Sequence, residues 1–280
     1  MKAFLNKAIP KLYGFYFNTI ALFSKEAAAQ KALSVFSIPR KGKITPLQDQ
    51  FLKTAEKQLI GFDEGLYALY KWKGTGPTVL LLHGWESNAF RWKYLIEPLV
   101  KKDYNIIAID APAHGGTDGT EFTAVKYSKI IKQTIALYEP NYVVAHSVGA
   151  MATMYQEHQH AHACVQKFVF LGSPNKLEGI MRGYQQVVPF NETVYEALDE
   201  LLKKSFGTSI KEFNAADFSR AIKVPALLIH NPEDVIIPYT AMDEIASQMS
   251  NVKTYTSATG GHSLYTPEVV STIMDFIENP

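Results

Sequence analysis

One cysteine, Cys164, stands in a chain of 280 residues. No intrachain disulfide can form, so the fold must rest on its core. That fits a reducing compartment such as the cytoplasm, without excluding secretion. Charge of one sign is also missing: 28 Lys and Arg face 27 Asp and Glu, for a net charge of +1. Nothing here calls for nucleic acid or another highly charged partner. Internal repeats and low-complexity tracts are absent. The apolar stretch "YGFYFNTIALF" at 13–23 is too short to span a membrane. What the chain does have, 47% hydrophobic and 20% charged residues, is enough to build an ordinary globular core.

The N-terminus supports more than one reading. Lys2, Lys7 and Lys11 precede the apolar stretch and "AAAQ" follows at 27–30, in the manner of a signal peptide. Against this, Asn18 and Thr19 interrupt the run, and Lys25 and Glu26 precede the would-be cleavage site. A helical pattern fits better: Phe4/Leu5, Ala8/Ile9, Leu12, Phe15/Tyr16, Thr19/Ile20 and Phe23 recur every three to four residues. Pro10 is expected to kink or divide that helix. Packing on the domain, or contact with a membrane surface, is therefore favoured over cleavage. Residues 37–50 then read as a linker entering a helix, with Thr45 as N-cap, Pro46 at the first position and Gln48 closing a capping box.

From about residue 57 a rhythm sets in. Two strands flank the Asp63-Glu64-Gly65 turn. Short apolar runs follow at 78–84, 105–110, 142–147, 167–172 and 225–231, with a further strand near 253–257. Strands buried on both faces read this way. Helix-length segments separate them at roughly 88–102, 121–139 and 148–163. This predicts an α/β fold: a mostly parallel, doubly wound sheet flanked by helices. About fifty amphipathic residues after Pro174 are too many for a loop. They read as an inserted helical cap over the strand ends. The expected division is an N-terminal helical extension at 1–57, a core at 58–174 and 223–280, and a cap at 175–222.

Chemistry concentrates at the strand ends. In "VVAHSVGAM" (143–151), Ser147 directly follows a strand and precedes a helix, with Ala145 and Gly149 two residues to either side. A sharp strand-to-helix turn admits only small residues there and lifts the middle one out of the sheet. A serine nucleophile needs a base, a group to orient the base, and oxyanion donors. Asp234 follows a later strand in "LLIHNPEDVIIP", and His262 lies in "TGGHSL" after the last one. "LLLHGW" places His83, Gly84 and Trp85 at another strand end. The order Ser147, Asp234, His262 is that of a triad on such a sheet.

From about residue 58 onward the chain resembles the α/β-hydrolase superfamily. The resemblance rests on His83-Gly84-Trp85, "DAPAHGGTDG" from Asp110, the elbow Ala145-His146-Ser147-Val148-Gly149, Asp234 and Gly261-His262. It implies that Ser147 attacks, His262 acts as base and then acid, and Asp234 orients the imidazole. It further implies an oxyanion hole from the N–H groups of Val148 and Trp85, with His83 shaping its loop. Residues 1–57 lie outside the match, and the cap matches only in position. Serine at the nucleophile disfavours the dehalogenases and epoxide hydrolases of this fold, which use aspartate.

The expected activity is hydrolysis of a carboxylic ester or thioester through an acyl-enzyme, on a small-molecule acyl substrate and with no cofactor or metal. A carbon–carbon bond hydrolase with the same triad is the alternative. Its dioic substrate would call for arginine or extra polar residues on the cap side, where Arg182 and Arg220 are the only arginines. A non-catalytic binding protein of this fold would usually have lost the elbow or triad. The expected substrate pocket is lined by His83, Gly84, Trp85, His146 and Met151. Met151 is slightly better explained as core on the helix after the elbow. His158 and His162 share a helix face, but a solvated helix end explains them better than a metal site. Oligomeric state, acyl group and leaving group are not legible.

Overall fold

Residues 2–279 are described by the computed structural model, with side chains from residue 8 onward; Phe4 and Leu5 of the N-terminal apolar stripe lie outside the described side chains. Eight strands form one sheet: β1 (Glu56–Phe62), β2 (Gly65–Trp72), β3 (Thr78–Leu82), β4 (Asn105–Ile109), β5 (Tyr142–His146), β6 (Lys167–Leu171), β7 (Ala226–His230) and β8 (Val252–Thr256). Their order across the sheet is β1-β2-β4-β3-β5-β6-β7-β8. β1 pairs antiparallel with β2, and β2 antiparallel with β4. Every later pairing is parallel.

This order fixes where a site can be. The chain runs from β3 outward to β4, then crosses back to β5 on the other side of β3. The crevice beyond the carboxyl ends of β3 and β5 is thus the point where winding reverses, and ligands of open α/β sheets bind at such points. β3, β4, β5 and β6 are each buried at four of their five positions, as continuous apolar runs require.

The helices expected between strands are present. The segment at 88–102 is a 3-10 turn, Ala89–Trp92, continued by the helix Lys93–Lys101. Ala124–Tyr138 and Val148–Gln159 cover the next two crossovers. The short helix Pro46–Leu52 carries the anticipated capping box, with Thr45 and Gln48 bonding reciprocally. Pro10 does not divide the N-terminal helix, which runs unbroken over Lys2–Ala21. The proline removes one N–H and crowds the carbonyl one turn back, yet the helix continues past it.

The chain separates into two compact units, residues 1–38 with 176–214, and residues 39–175 with 215–280. These boundaries differ from those read in the sequence. Residues 39–57 belong with the sheet because Gly42 O accepts N–H groups from Gly115 and Asn88, and Phe51 packs on Trp72 and Phe90. The chain re-enters the sheet unit at 215 because Asn175 accepts the backbone N–H of both Ala215 and Ala216.

In the smaller unit the helices Leu177–Val187 and Glu192–Phe206 share a core with the helix Lys25–Ser37 and with Phe17 of the first helix. Gly14 permits that packing: a Cβ there would fall 2.6 Å from the carbonyl oxygen of Pro189. The other face of the same segment leaves Leu12, Phe15, Tyr16, Leu22 and Phe23 exposed. Among the described residues no helix is long and apolar enough to cross a membrane.

Candidate active site

Ser147 follows β5 directly in a strained conformation, φ 55° and ψ −128°. Side chains other than glycine's rarely adopt it. Two glycines make the turn feasible. A Cβ on Gly149 would lie 2.4 Å from the carbonyl oxygen of His83, and one on Gly84 would lie 2.8 Å from Ser147 Cβ. The turns after β3 and β5 therefore interlock at contact distance. Ser147 N–H donates to Leu171 O of β6 at 2.8 Å, which ties the turn to its neighbouring strand.

The three residues singled out in the sequence meet here. His262 Nε2 lies 3.0 Å from Ser147 Oγ, and His262 Nδ1 lies 2.7 Å from Asp234 Oδ2. The separations in sequence are 115 and 28 residues, so only the fold brings them together. Asp234 sits in the turn after β7. Its Oδ1 accepts the N–H groups of Ile236 at 2.8 Å and Ile237 at 2.9 Å. Burial works against its ionisation, but the Ile237 N–H, the His262 contact and the Ile236 N–H outweigh it and hold the carboxyl below its usual range.

The sequence reading missed His230, the last residue of β7. Its Nε2 lies 3.2 Å from Asp234 Oδ2 and 3.1 Å from Ile237 O. Asp234 is thus gripped from four directions. The only hint in sequence is that His230 ends the strand that delivers Asp234. His262 is held in turn by its own backbone, since its carbonyl oxygen accepts a proton from His146 Nε2 at 2.8 Å.

Of the five residues expected to line a substrate pocket, His83 and Met151 have no exposed surface, His146 retains 5%, Gly84 is buried, and Trp85 is half-buried. His83 is a loop-shaping group: Nε2 accepts the Ala111 N–H at 2.9 Å and Nδ1 donates to Gly84 O at 2.7 Å. Burial drives the pKa of both His83 and His146 well below the ordinary imidazole value, so both stay neutral. His114 shapes the same loop further on, its Nε2 accepting the Glu86 N–H at 2.9 Å. Val148, the expected oxyanion donor, is the first residue of its helix, where an N–H has no partner within the helix and the dipole favours negative charge. Among the described residues no group of three or more His, Cys, Asp or Glu is arranged to hold a metal ion. His162 instead pairs with Glu157.

Asp110, quoted above only as part of a motif, is a buried hub. Its oxygens accept N–H groups from Ala89 at 2.7 Å and Gly116 at 2.8 Å, and the Tyr70 hydroxyl at 3.1 Å. Burial pushes its carboxyl from 3.8 up to about 6, the donors offsetting only part of that. A raised carboxyl pKa means the folded state holds the proton longer than the unfolded chain. The stability it contributes is therefore present below about pH 4 and lost as pH rises through 6. From the shift, the loss between pH 4 and 7 is about 2–3 kcal/mol. In urea unfolding, the stability difference between wild type and Asp110→Asn is expected to shrink by that amount over this range. A difference that does not change with pH would refute the burial argument.

Residues 79–266 match the alpha/beta hydrolase family. The chain belongs to that family. It is therefore a hydrolase by kinship, and its relatives fit that. An uncharacterized hydrolase of Bacillus subtilis, YugF, is 25% identical over 247 residues, covering 72% of this chain and 90% of the relative. A pimeloyl-[acyl-carrier protein] methyl ester esterase of Vibrio vulnificus is 27% identical over 146 residues, about half of each protein. Among solved structures, the esterase EaEST from Exiguobacterium antarcticum superposes with a TM-score of 0.62 at 16% identity, over 80% of this chain and all of that one. At that identity the likeness speaks for the fold alone.

Proposed function

We propose that this hydrolase cleaves a carboxylic ester or thioester through an acyl-enzyme on Ser147. The observation that carries the reading is the hydrogen-bonded line from Ser147 Oγ to His262 to Asp234, at 3.0 and 2.7 Å. With Nδ1–H directed at the carboxylate, Nε2 is free to accept the serine proton. As that proton passes to Nε2, Oγ attacks the acyl carbon. The tetrahedral oxyanion then sits against the N–H groups of Val148 and Trp85. Collapse expels the alcohol or thiol, which leaves with the proton from Nε2. Water repeats the sequence on the acyl-serine and frees the acid.

The engagement of two arginines favours this over carbon–carbon bond cleavage. On the cap side, where that reading looked for arginine, Arg182 pairs with Glu192 at 2.8 Å and Arg220 with Asp217 at 3.1 Å. The Vibrio relative acts on a methyl ester, which is consistent with ester chemistry here. The test is a series of p-nitrophenyl esters from acetate to laurate, run alongside labelling with a fluorophosphonate. We expect turnover that peaks at one chain length, and one phosphonyl adduct on the Ser147 peptide. An enzyme that neither turns over any ester nor takes up the label would sink the proposal.

A further inference from the structure

A cleft of about 580 Å³ opens in the sheet unit, and neither Ser147, Asp234 nor His262 lines it. The volume is that of a small-molecule site. Its walls carry Arg40, Lys41, Lys43 and Arg91 against a single acid, Glu86, with Tyr94 and Tyr265 supplying aromatic surface. Glu86 is already engaged, its Oε1 accepting the Arg40 backbone N–H at 2.8 Å. None of the four cations forms an ion pair among the described residues. Such an unbalanced cluster is unusual in a chain whose charges otherwise nearly cancel.

The cationic turn is held in place. Gly42, between Lys41 and Lys43, has φ +94° and presses on the oxyanion loop: a Cβ would meet His114 Cδ2 at 2.7 Å and Ser87 O at 2.9 Å. Its carbonyl oxygen takes the Gly115 N–H at 2.9 Å and the Asn88 amide at 3.1 Å. The two lysines are thereby presented from a pinned backbone rather than from a loose loop. Elsewhere in the lining, Arg91 Nη2 donates to O of Ser263, the residue after His262, at 2.6 Å. Its guanidinium lies 4.9 Å from the Tyr265 ring, and its buried Nε has no hydrogen-bond partner. Arg91 is thus an unsaturated donor that touches both the cleft and the histidine loop.

We propose that this cleft is an anion-binding subsite, taking a phosphate or carboxylate carried on an aromatic or alkyl stem. The lysines and Arg91 meet the charge, and Tyr94 and Tyr265 meet the stem. The inference goes beyond the ester reading and does not depend on it, because Ser147→Ala keeps the whole cleft. The test is calorimetric titration of the full chain, wild type and Ser147→Ala, with phenyl phosphate, inorganic phosphate and phenol. Phenyl phosphate is expected to bind both proteins saturably and better than inorganic phosphate, while phenol does not bind. Lys41→Gln/Lys43→Gln should weaken phenyl phosphate by at least about tenfold while leaving turnover of a neutral p-nitrophenyl ester unchanged. The charge-reversed Lys41→Glu/Lys43→Glu should abolish binding. Both positions are exposed, so folding is not at stake.

Inhibition kinetics separate the two sources of such an anion. Competition with the ester makes the anion part of the substrate, whereas an altered kcat at constant KM makes it a separate effector. Absence of saturable binding, or equal affinity in the lysine variants, would overturn the proposal.

Discussion

Ser147→Ala is expected to lower kcat on the best p-nitrophenyl ester by about a million-fold, with KM nearly unchanged. The alanine keeps the Cβ, so the turn, the helix that follows and the proposed oxyanion donors stay as they are. What goes is the Oγ that lies 3.0 Å from His262 Nε2. The remaining site can still bind an ester and polarise its carbonyl, so a rate about a thousand- to ten-thousand-fold above that of water should persist. If the variant keeps more than about a hundredth of the activity, another nucleophile is at work. Stability gives a second readout. The conformation at Ser147, φ 55° and ψ −128°, is costly for any side chain, typically by about 1–3 kcal/mol. Ser147→Ala retains that cost and Ser147→Gly relieves it. The glycine variant should therefore melt above the alanine variant although both are inactive. Equal melting temperatures would mean that the strain is no larger than the backbone entropy glycine adds to the unfolded chain, about 0.4–1 kcal/mol.

How legible all this was depends on the range of the signal. Strands buried on both faces announce themselves as apolar runs, and β3, β4, β5, β6 and β7 each follow a quoted run closely. The capping box at Thr45 and Gln48 is a contact over three residues, so it too could be read. Ser147, Asp234 and His262 were legible because the winding of such a sheet dictates which strand ends converge. The rest depends on contacts that no local pattern encodes. His230 is one more apolar-strand terminus until β7 places it 3.2 Å from Asp234. Arg91 looks like a helix surface residue until the backbone at Ser263, 172 residues away, accepts its proton. The Pro10 expectation failed for a related reason: a local rule was applied to a helix that keeps its path through the proline. The unit boundary failed to show because residues 1–38 and 176–214 share a core although more than a hundred residues lie between them.

Asp234→Asn should cost about ten-thousand-fold in kcat, and the reason lies in which way the amide must point. Oδ1 of Asp234 accepts two backbone N–H groups, from Ile236 and Ile237. An asparagine must offer its carbonyl oxygen to them, since the amide nitrogen would face two donors. Its NH2 then occupies the place of Oδ2 and meets His262 Nδ1, now 2.7 Å from that oxygen. To accept from it, Nδ1 must give up its proton, and the imidazole proton moves to Nε2. There it faces Ser147 Oγ, so the ring can no longer act as the base. KM should change little, because Asp234 does not reach the substrate. The imidazole signal in a proton spectrum of the resting enzyme should show the tautomer change directly. The same NH2 also confronts His230 Nε2, which lies 3.2 Å from Oδ2. If that N–H gives way, by the His230 ring turning or changing tautomer, a modest loss of stability accompanies the loss of rate. Activity within about tenfold of wild type would show that the His262 proton is fixed by something other than Asp234, and that the line of three side chains is not the working triad.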